Sequence, residues 1–189
     1  MAIIFDPVQH FFNGDFWKIF LKKYGKFHDK KVIDIACGTG ELRKYIDPTK
    51  YLGVDINSAY INYANKNNRY KNSKFILEDA TKFNLDDKYD IAFLISAAHH
   101  LTTLQLEGIC INLKKNKVKE FIIIDGIPIG FFAGMLKFLD DKLGGGSFFK
   151  DEDEISRVVQ KYFLIKDKGK FGYRSLFYEY PFVVAKLFS

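Results

Sequence analysis

Four groups of residues have types and spacings suited to chemistry. The first is Val32–Gly40, VIDIACGTG, where an apolar β-branched run breaks on Gly38 and Gly40. Glycine permits a tight turn and lets backbone amides approach a ligand with no Cβ in the way. Amides of a turn that opens a helix then face that ligand. The second is Asp55, which ends the next apolar run 21 residues after Asp34. An acidic residue at that place accepts hydrogen bonds from two ribose hydroxyls in nucleotide-type folds. The third is Glu78-Asp79-Ala80, at the end of the third run. The fourth is His99-His100, just past the fourth run. A neutral imidazole there can take a proton near neutral pH. Either histidine could instead cap the next helix or pack under it.

The elements that must position these groups alternate in type. Short apolar runs lie at Lys31–Ala36, Tyr51–Asp55, Lys74–Leu77, Tyr89–Ile95 and Val118–Asp125. Runs apolar on both faces suit a parallel sheet covered by helices. Between them, Glu41–Ile46, Ser58–Asn68 and Thr103–Lys115 read as helices. Asn57 or Ser58 can cap the second and Thr102 the third. The β-α alternation predicts an α/β doubly wound sheet. Two further strands, near Tyr162–Lys166 and Leu176–Leu187, have no helix pattern between them and are expected to pair as an antiparallel hairpin. The first three groups all lie at carboxyl ends of strands, where open α/β sheets bind ligands.

At these residues the chain resembles the class I S-adenosylmethionine-dependent methyltransferases. The resemblance rests on Asp34 with Cys37-Gly38-Thr39-Gly40, on Asp55 in GVDIN, on Asp79-Ala80, and on a fourth strand YDIAFLISAAHHL. It covers Lys30 to Asp125, and the final hairpin more loosely. It implies a Rossmann-like, mostly parallel sheet of seven strands in the order 3-2-1-4-5-7-6, with helices on both faces. It also implies S-adenosylmethionine as cofactor, S-adenosylhomocysteine as product, and no metal. Asp34 would hold the cofactor's amino group, directly or through water. Ala36, Cys37, Gly38 and Gly40 would run beneath the methionine and ribose. Asp55 would take the ribose hydroxyls, with Ile56 against the adenine face. Asp79 would accept from the adenine amino group beside the Ala80 amide, and Ile95 and Ser96 would line the floor near the sulfonium. Family members usually have glycine where Ala36 stands. Packing is the main reading of the Cys37 side chain. His99 and His100 are the candidate general bases, a role needed only if the acceptor holds its proton. The fourth strand lacks the Asn/Asp-Pro-Pro-Tyr type of ending associated with amine methylation on adenine or glutamine amides.

The chain of 189 residues suits one domain. Residues 1–29 read as an aromatic helical cover, 30–125 as the cofactor-binding core, 126–150 as a substrate-side segment, and 151–189 as a helix and strand hairpin. Phe5, Phe11, Phe12, Phe16, Trp17 and Phe20 in the first part are expected to pack across the cofactor. Ile127–Leu139, with Phe131, Phe132, Met135 and Phe138, follows the fifth strand and offers an apolar wall or a helix packed on the sheet. An apolar wall suits a small apolar, aromatic or lipid-like substrate, and a shallow membrane contact is compatible with it. Gly144–Gly146 reads as a joint, and the acidic run Asp151–Glu154 as a helix start.

A net charge of +6 invites a nucleic-acid partner, but only four of the 29 basic residues are arginines. The basic clusters mostly precede strands, whereas the strand ends carry Asp34, Asp55, Glu78, Asp79 and Asp125. The expected mouth is therefore acidic to neutral, and nucleic acid is disfavoured. Lys82, Lys137 and Lys150 are the cations expected nearer to it. Two cysteines exclude a disulfide framework or a cysteine-rich zinc module. With no long apolar run and no basic leader, a cytoplasmic location is expected. The readings carried forward are methyl transfer to a small apolar acceptor, methylation of RNA or protein, and a non-catalytic module that binds the cofactor.

Overall fold

The computed structural model describes residues 16–85, 87–131, 133–144, 148–170 and 178–188. Helix α1 (Phe16–Tyr24) precedes β1 (Lys31–Ile35), β2 (Lys50–Asp55), α2 (Ser58–Asn67), β3 (Ser73–Leu77) and β4 (Ile91–Ile95). Then come α3 (Thr103–Lys115), β5 (Glu120–Ile124), β6 (Ile127–Pro128), α4 (Ala133–Gly144) and α5 (Glu152–Val159). The chain closes with β7 (Phe163–Lys170), β8 (Tyr178–Glu179) and β9 (Pro181–Leu187). Two short 3-10 turns, Glu41–Lys44 and Ala98–His100, follow β1 and β4.

The main sheet has seven strands in the order β3-β2-β1-β4-β5-β9-β7. Numbered within the sheet alone, that is the expected 3-2-1-4-5-7-6. β1 to β5 pair in parallel, and β9 runs antiparallel to both β5 and β7. The last expected strand is divided. Tyr178–Glu179 leaves the sheet to pair with Ile127–Pro128, and Pro181 then starts β9. Proline lacks an amide proton, so a strand start is one of the few sheet positions it fits. Residues 171–177 of this region lie outside the described residues.

Alternating side chains divide the core into two layers. Ile33, Ile35, Leu52, Val54, Ala92, Leu94, Phe121 and Ile123 pack on one face against α3 and α5, through Leu106, Ile109, Leu113, Ile155 and Val159. Val32, Tyr51, Phe93, Ile122 and Ile124 pack on the other against α1 and α2. Helix α1 has nine residues, too few to be stable alone. Burial of Phe16, Trp17 and Phe20 holds it, at about 1.5–3 kcal/mol for each large apolar side chain. Phe20 lies 5.7 Å from the Phe93 ring, and Trp17 stacks on Tyr45 at 4.5 Å. These three rings are thus core, which corrects their part in the expected cofactor cover. Phe5, His10, Phe11 and Phe12 lie outside the described residues.

Local signals are met at the helix starts. The Asn57 side chain accepts from the amides of Ala59 and Tyr60. Thr102 with Gln105, and Asp151 with Glu154, form reciprocal capping boxes. At the opposite edge of the sheet from the site, Asp87 accepts from Lys31 at 2.8 Å and Lys50 at 3.1 Å, and Asp90 pairs with Lys119 at 2.7 Å. Those lysines lie at or just before strand starts, so part of the positive charge is neutralised at the far edge. Among the described residues no helix is long and apolar enough to cross a membrane, and no group of three or more metal-ligating side chains forms.

Candidate active site

The carboxyl ends of β1 and β2 bring the glycine turn and Asp55 together. Asp55 is buried; its Oδ2 accepts from the Gly38 amide at 2.8 Å and its Oδ1 from the Asn57 amide at 2.8 Å. Each oxygen keeps a further lone pair for an outside donor. Gly38 has φ 52°, and a Cβ added there would meet nothing within 4 Å. The backbone is therefore open toward solvent at the place where a ligand would cross it. Gly40, with φ 83°, differs: a Cβ there would lie 2.7 Å from the Phe75 ring. Gly38 leaves room for a ligand, whereas Gly40 leaves room for the core.

Ala36 stands between β1 and this turn with φ 54°. At the adjoining end of β4, Ser96 has φ 52°. The left-handed region is costly for a residue with a Cβ, by roughly 1–2 kcal/mol. The alanine is thus accommodated, in a conformation that favours glycine.

Asp34 is buried on the α1 face and accepts a hydrogen bond from the Tyr51 hydroxyl. Burial pushes its carboxyl up to about 7; the Tyr51 hydrogen bond opposes the rise and the Asp55 charge adds to it. A cationic ligand group would draw Asp34 back to its charged form. The Cys37 thiol is buried between Gly53 and Phe75, and burial raises it well above its ordinary range. Its side chain packs in the core. Gly53 is what admits it, since a Cβ there would lie 2.8 Å from Cys37 Sγ and 2.5 Å from the Phe75 ring.

Asp79 anchors its own turn, with Oδ1 accepting from the Thr81 amide at 2.8 Å and the Thr81 hydroxyl at 2.7 Å. Those bonds hold its carboxyl below the usual range, and Lys82 Nζ lies 3.6 Å from Oδ2. Ala80 is steadied by Asn112, whose Nδ2 donates to the Ala80 carbonyl at 3.2 Å. Ile56 is 76% exposed at the rim, an apolar surface beside Asp55. Ile95 and Ser96 are half-buried, and the Ser96 amide donates to the Ile124 carbonyl at 2.8 Å.

The two histidines are not equivalent. His99 is buried in the turn after β4, with Nδ1 2.7 Å from Asp125 Oδ1 at the end of β5. His100 lies against it, ring centroids 4.0 Å apart. Phe149 stacks on His99 at 5.2 Å and 7° between planes, and the Phe148 amide donates to the His99 carbonyl at 2.6 Å. The Lys150 ammonium is buried and donates to the carbonyls of Ala98, Leu101 and Phe148. Sequence reasoning left Tyr51, Gly53 and Phe149 without roles, counted Lys150 only as a cation nearer the mouth, and counted Asp125 only as a strand-end acid. Asp125 was findable by its position; nothing in the sequence marks Tyr51, Gly53 or Phe149.

The arrangement has the shape for a nucleoside-type ligand along β1, β2 and β3, with the buried His99–Asp125 pair across the ends of β4 and β5. A family model described as "Methyltransferase domain" matches residues 26–126. The chain therefore belongs to the methyltransferase domain family. It is 31% identical over 114 residues to a protein named as a methyltransferase, 235L, of Invertebrate iridescent virus 6, covering 51% of this chain and 42% of that one. It is 31% identical over 75 residues to the phthiotriol/phenolphthiotriol dimycocerosates methyltransferase of Mycobacterium tuberculosis, covering 37% of this chain and 28% of that one. The chain thus spans less than half the length of these curated relatives. Its fold matches magnesium protoporphyrin IX methyltransferase from Synechocystis PCC 6803 with bound S-adenosylhomocysteine, at TM-score 0.65 and 18% identity, over 89% of this chain and 78% of that one.

Proposed function

We propose that this chain binds S-adenosylmethionine across the ends of β1, β2 and β3 and transfers its methyl group to a small apolar, aromatic or lipid-like acceptor. The observation that carries the reading is Asp55, fixed by the Gly38 and Asn57 amides with its remaining lone pairs available for two ribose hydroxyls. Gly38 gives the cofactor passage, Asp34 attracts its amino group directly or through water, and Ile56 lies under the adenine with Asp79 and the Ala80 amide at its edge. Bound there, the sulfonium supplies an already activated methyl group for in-line displacement. The chain's own contribution is then to position both partners and exclude water.

The acceptor reading rests on the segment after β5. Phe131, Met135, Phe138 and Phe148 are exposed there, with Lys137 and Lys142 on the same helix as Met135 and Phe138. An apolar face bordered by lysines suits a hydrophobic acceptor or a shallow contact with a lipid surface. The mycobacterial relative, named for methylation of phthiotriol and phenolphthiotriol dimycocerosates, gives this reading further support. The lysine pairs at the far edge of the sheet favour it over a nucleic-acid acceptor.

Calorimetry with S-adenosylhomocysteine tests the cofactor site. The unaltered chain is expected to bind, and Asp55→Ala to bind about 100-fold more weakly, the loss of roughly two hydrogen bonds to a charged group. A folded chain that ignores the ligand would sink the reading. Label transfer from methyl-labelled S-adenosylmethionine into a lipid or metabolite extract, read by mass spectrometry, then identifies the acceptor. Label entering only RNA or protein would favour the alternative substrate class, and binding without transfer a non-catalytic module.

A further inference from the structure

Tyr51 on β2 is a fully buried phenol, and its hydroxyl donates to a buried carboxylate on the adjacent strand, Asp34 of β1. The layer around them is apolar, with Val32, Phe75, Phe93 and Ile122. A carboxylate in such a layer is costly unless its charge is paired. Among the described residues, Tyr51 is the one side chain that donates to Asp34, and it bonds Oδ2 alone. One bond does not offset the cost. Burial still pushes the carboxyl up to about 7, against the Tyr51 bond and with the Asp55 charge. Apolar side chains at both positions would pack without that cost, so stability alone does not account for the pair. Asp34 also lies beside the glycine turn, where its charge reaches Asp55 and the Cys37 thiol.

Tyr51 is itself held by three contacts. Its ring meets Phe75 at 5.6 Å between centroids, its amide donates to the Asn72 carbonyl at 2.9 Å, and the Arg43 guanidinium lies 6.0 Å from its ring centroid. Arg43 is fixed in turn, donating to Ser73 Oγ at 2.7 Å and Asn72 Oδ1 at 2.9 Å. Burial and the Asp34 charge hold the phenol well above its ordinary range, so it remains a donor throughout neutral pH.

We propose that Tyr51 is a positioning residue for the cofactor's amino group, acting through Asp34: its hydroxyl pins one carboxylate oxygen and leaves the other for the ammonium, directly or through water. This rests on the S-adenosylmethionine reading above and names what sets the charge of that part of the site. A charged Asp34 attracts an ammonium far more strongly than a neutral one in a low-dielectric layer. The Tyr51 bond favours the charged form. Without ligand, the carboxyl keeps its proton through the lower part of the neutral range. As the ammonium binds, that proton passes to the buffer, and the carboxylate is held by Tyr51 and the ligand together. Binding therefore strengthens as pH rises to about 7 and levels off above it. The other titratable groups beside Asp34 are Asp55 and Cys37, with Arg43 behind the Tyr51 ring. To the same layer α1 adds Phe16, Trp17, Phe20 and the Tyr24 ring, and α2 adds Ile61 and Ala64.

Calorimetry with two ligands decides it: S-adenosylhomocysteine, and its analogue with hydrogen in place of the amino group. The unaltered chain is expected to bind S-adenosylhomocysteine about tenfold or more tighter at about pH 7.5 than at about pH 5.5, releasing a proton at the lower pH. Buffers of differing ionisation enthalpy read that release. The analogue is expected to show neither effect. Tyr51→Phe keeps the ring and removes the donor. It is expected to weaken S-adenosylhomocysteine about tenfold near pH 7, to move the rise in affinity to higher pH, and to leave the analogue within about twofold. In an Asp34→Asn background the same change is expected to have no further effect. Equal losses on both ligands would make Tyr51 a packing residue and overturn the proposal, as would no loss on either. S-adenosylhomocysteine binding that does not change with pH overturns it even if Tyr51→Phe fails to fold. A folded chain that binds neither ligand is instead failure of the cofactor reading.

Discussion

Around β1 and β2, the groups assigned to the cofactor are fastened by neighbours on one turn or on adjoining strands. Asp55 holds Gly38 and Asn57, Tyr51 holds Asp34, and Gly53 makes room for Cys37. Around β4 and β5 the fastening comes from far along the chain. His99 meets Asp125, Phe149 stacks on it, and Lys150 reaches back to Ala98 and Leu101. The first region is a compact motif built from near neighbours. The second is assembled by a returning segment, so it can vary without disturbing the first. The proposed cofactor and acceptor regions are thereby held by separate sets of contacts.

The largest effect expected on this separation comes from Lys150→Met. The variant removes the donor to three carbonyls while keeping most of the side-chain volume. It should cost about 1–3 kcal/mol in a denaturant titration, the penalty of carbonyls left unsatisfied. Amide exchange should quicken in residues 98–101 and 148–150, while S-adenosylhomocysteine affinity stays within about twofold. A tenfold loss of affinity would mean the two regions are coupled.

An effect of comparable size and opposite sign lies in Asp34. Its proton is held more tightly in the folded chain, at about 7, than at the ordinary value of 3.8. The folded state therefore binds more protons between those values, and this group's contribution to stability falls as pH rises from about 4 to about 7. Asp34→Asn should remove that decline and raise stability near pH 8 by about 1–3 kcal/mol, while weakening binding of the cationic ligand. Thermal unfolding across that range checks it; an unchanged pH slope would show that Asp34 is not buried with its proton.

The smallest effect is Ala36→Gly. Relief of the left-handed backbone outweighs the entropy glycine loses on folding, for a net gain of about 0.5–1 kcal/mol in the denaturant midpoint. A loss of stability would show that the turn prefers its methyl group.

Much of the cofactor region was legible in the sequence because its chemistry is local. Gly38, Gly40 and Asp55 sit at spacings set by one strand–turn–helix unit and the next strand. The alternation of runs also predicted the doubly wound sheet, the residue types before two helices marked Asn57 and Thr102 as caps, and the strand order followed from the family resemblance. The N-terminal aromatics show the limit of composition. Phe16, Trp17 and Phe20 looked suited to covering a ligand, but a nine-residue helix can stay folded only by burying them. Likewise Tyr178–Glu179 read as the start of the last strand and is spent on a ribbon with Ile127–Pro128.

By itself, then, the sequence determined the parallel strands of the sheet, the helices between them and the glycine turn, because periodicity and turn chemistry act between near neighbours. Only the tertiary structure decided which histidine meets a carboxylate, which aromatic ring stacks on it, and which lysine is buried. Those contacts join residues 26 to 52 positions apart, and no local pattern encodes them. Packing brings them together because β4 and β5 lie side by side and the segment before α5 returns across their ends.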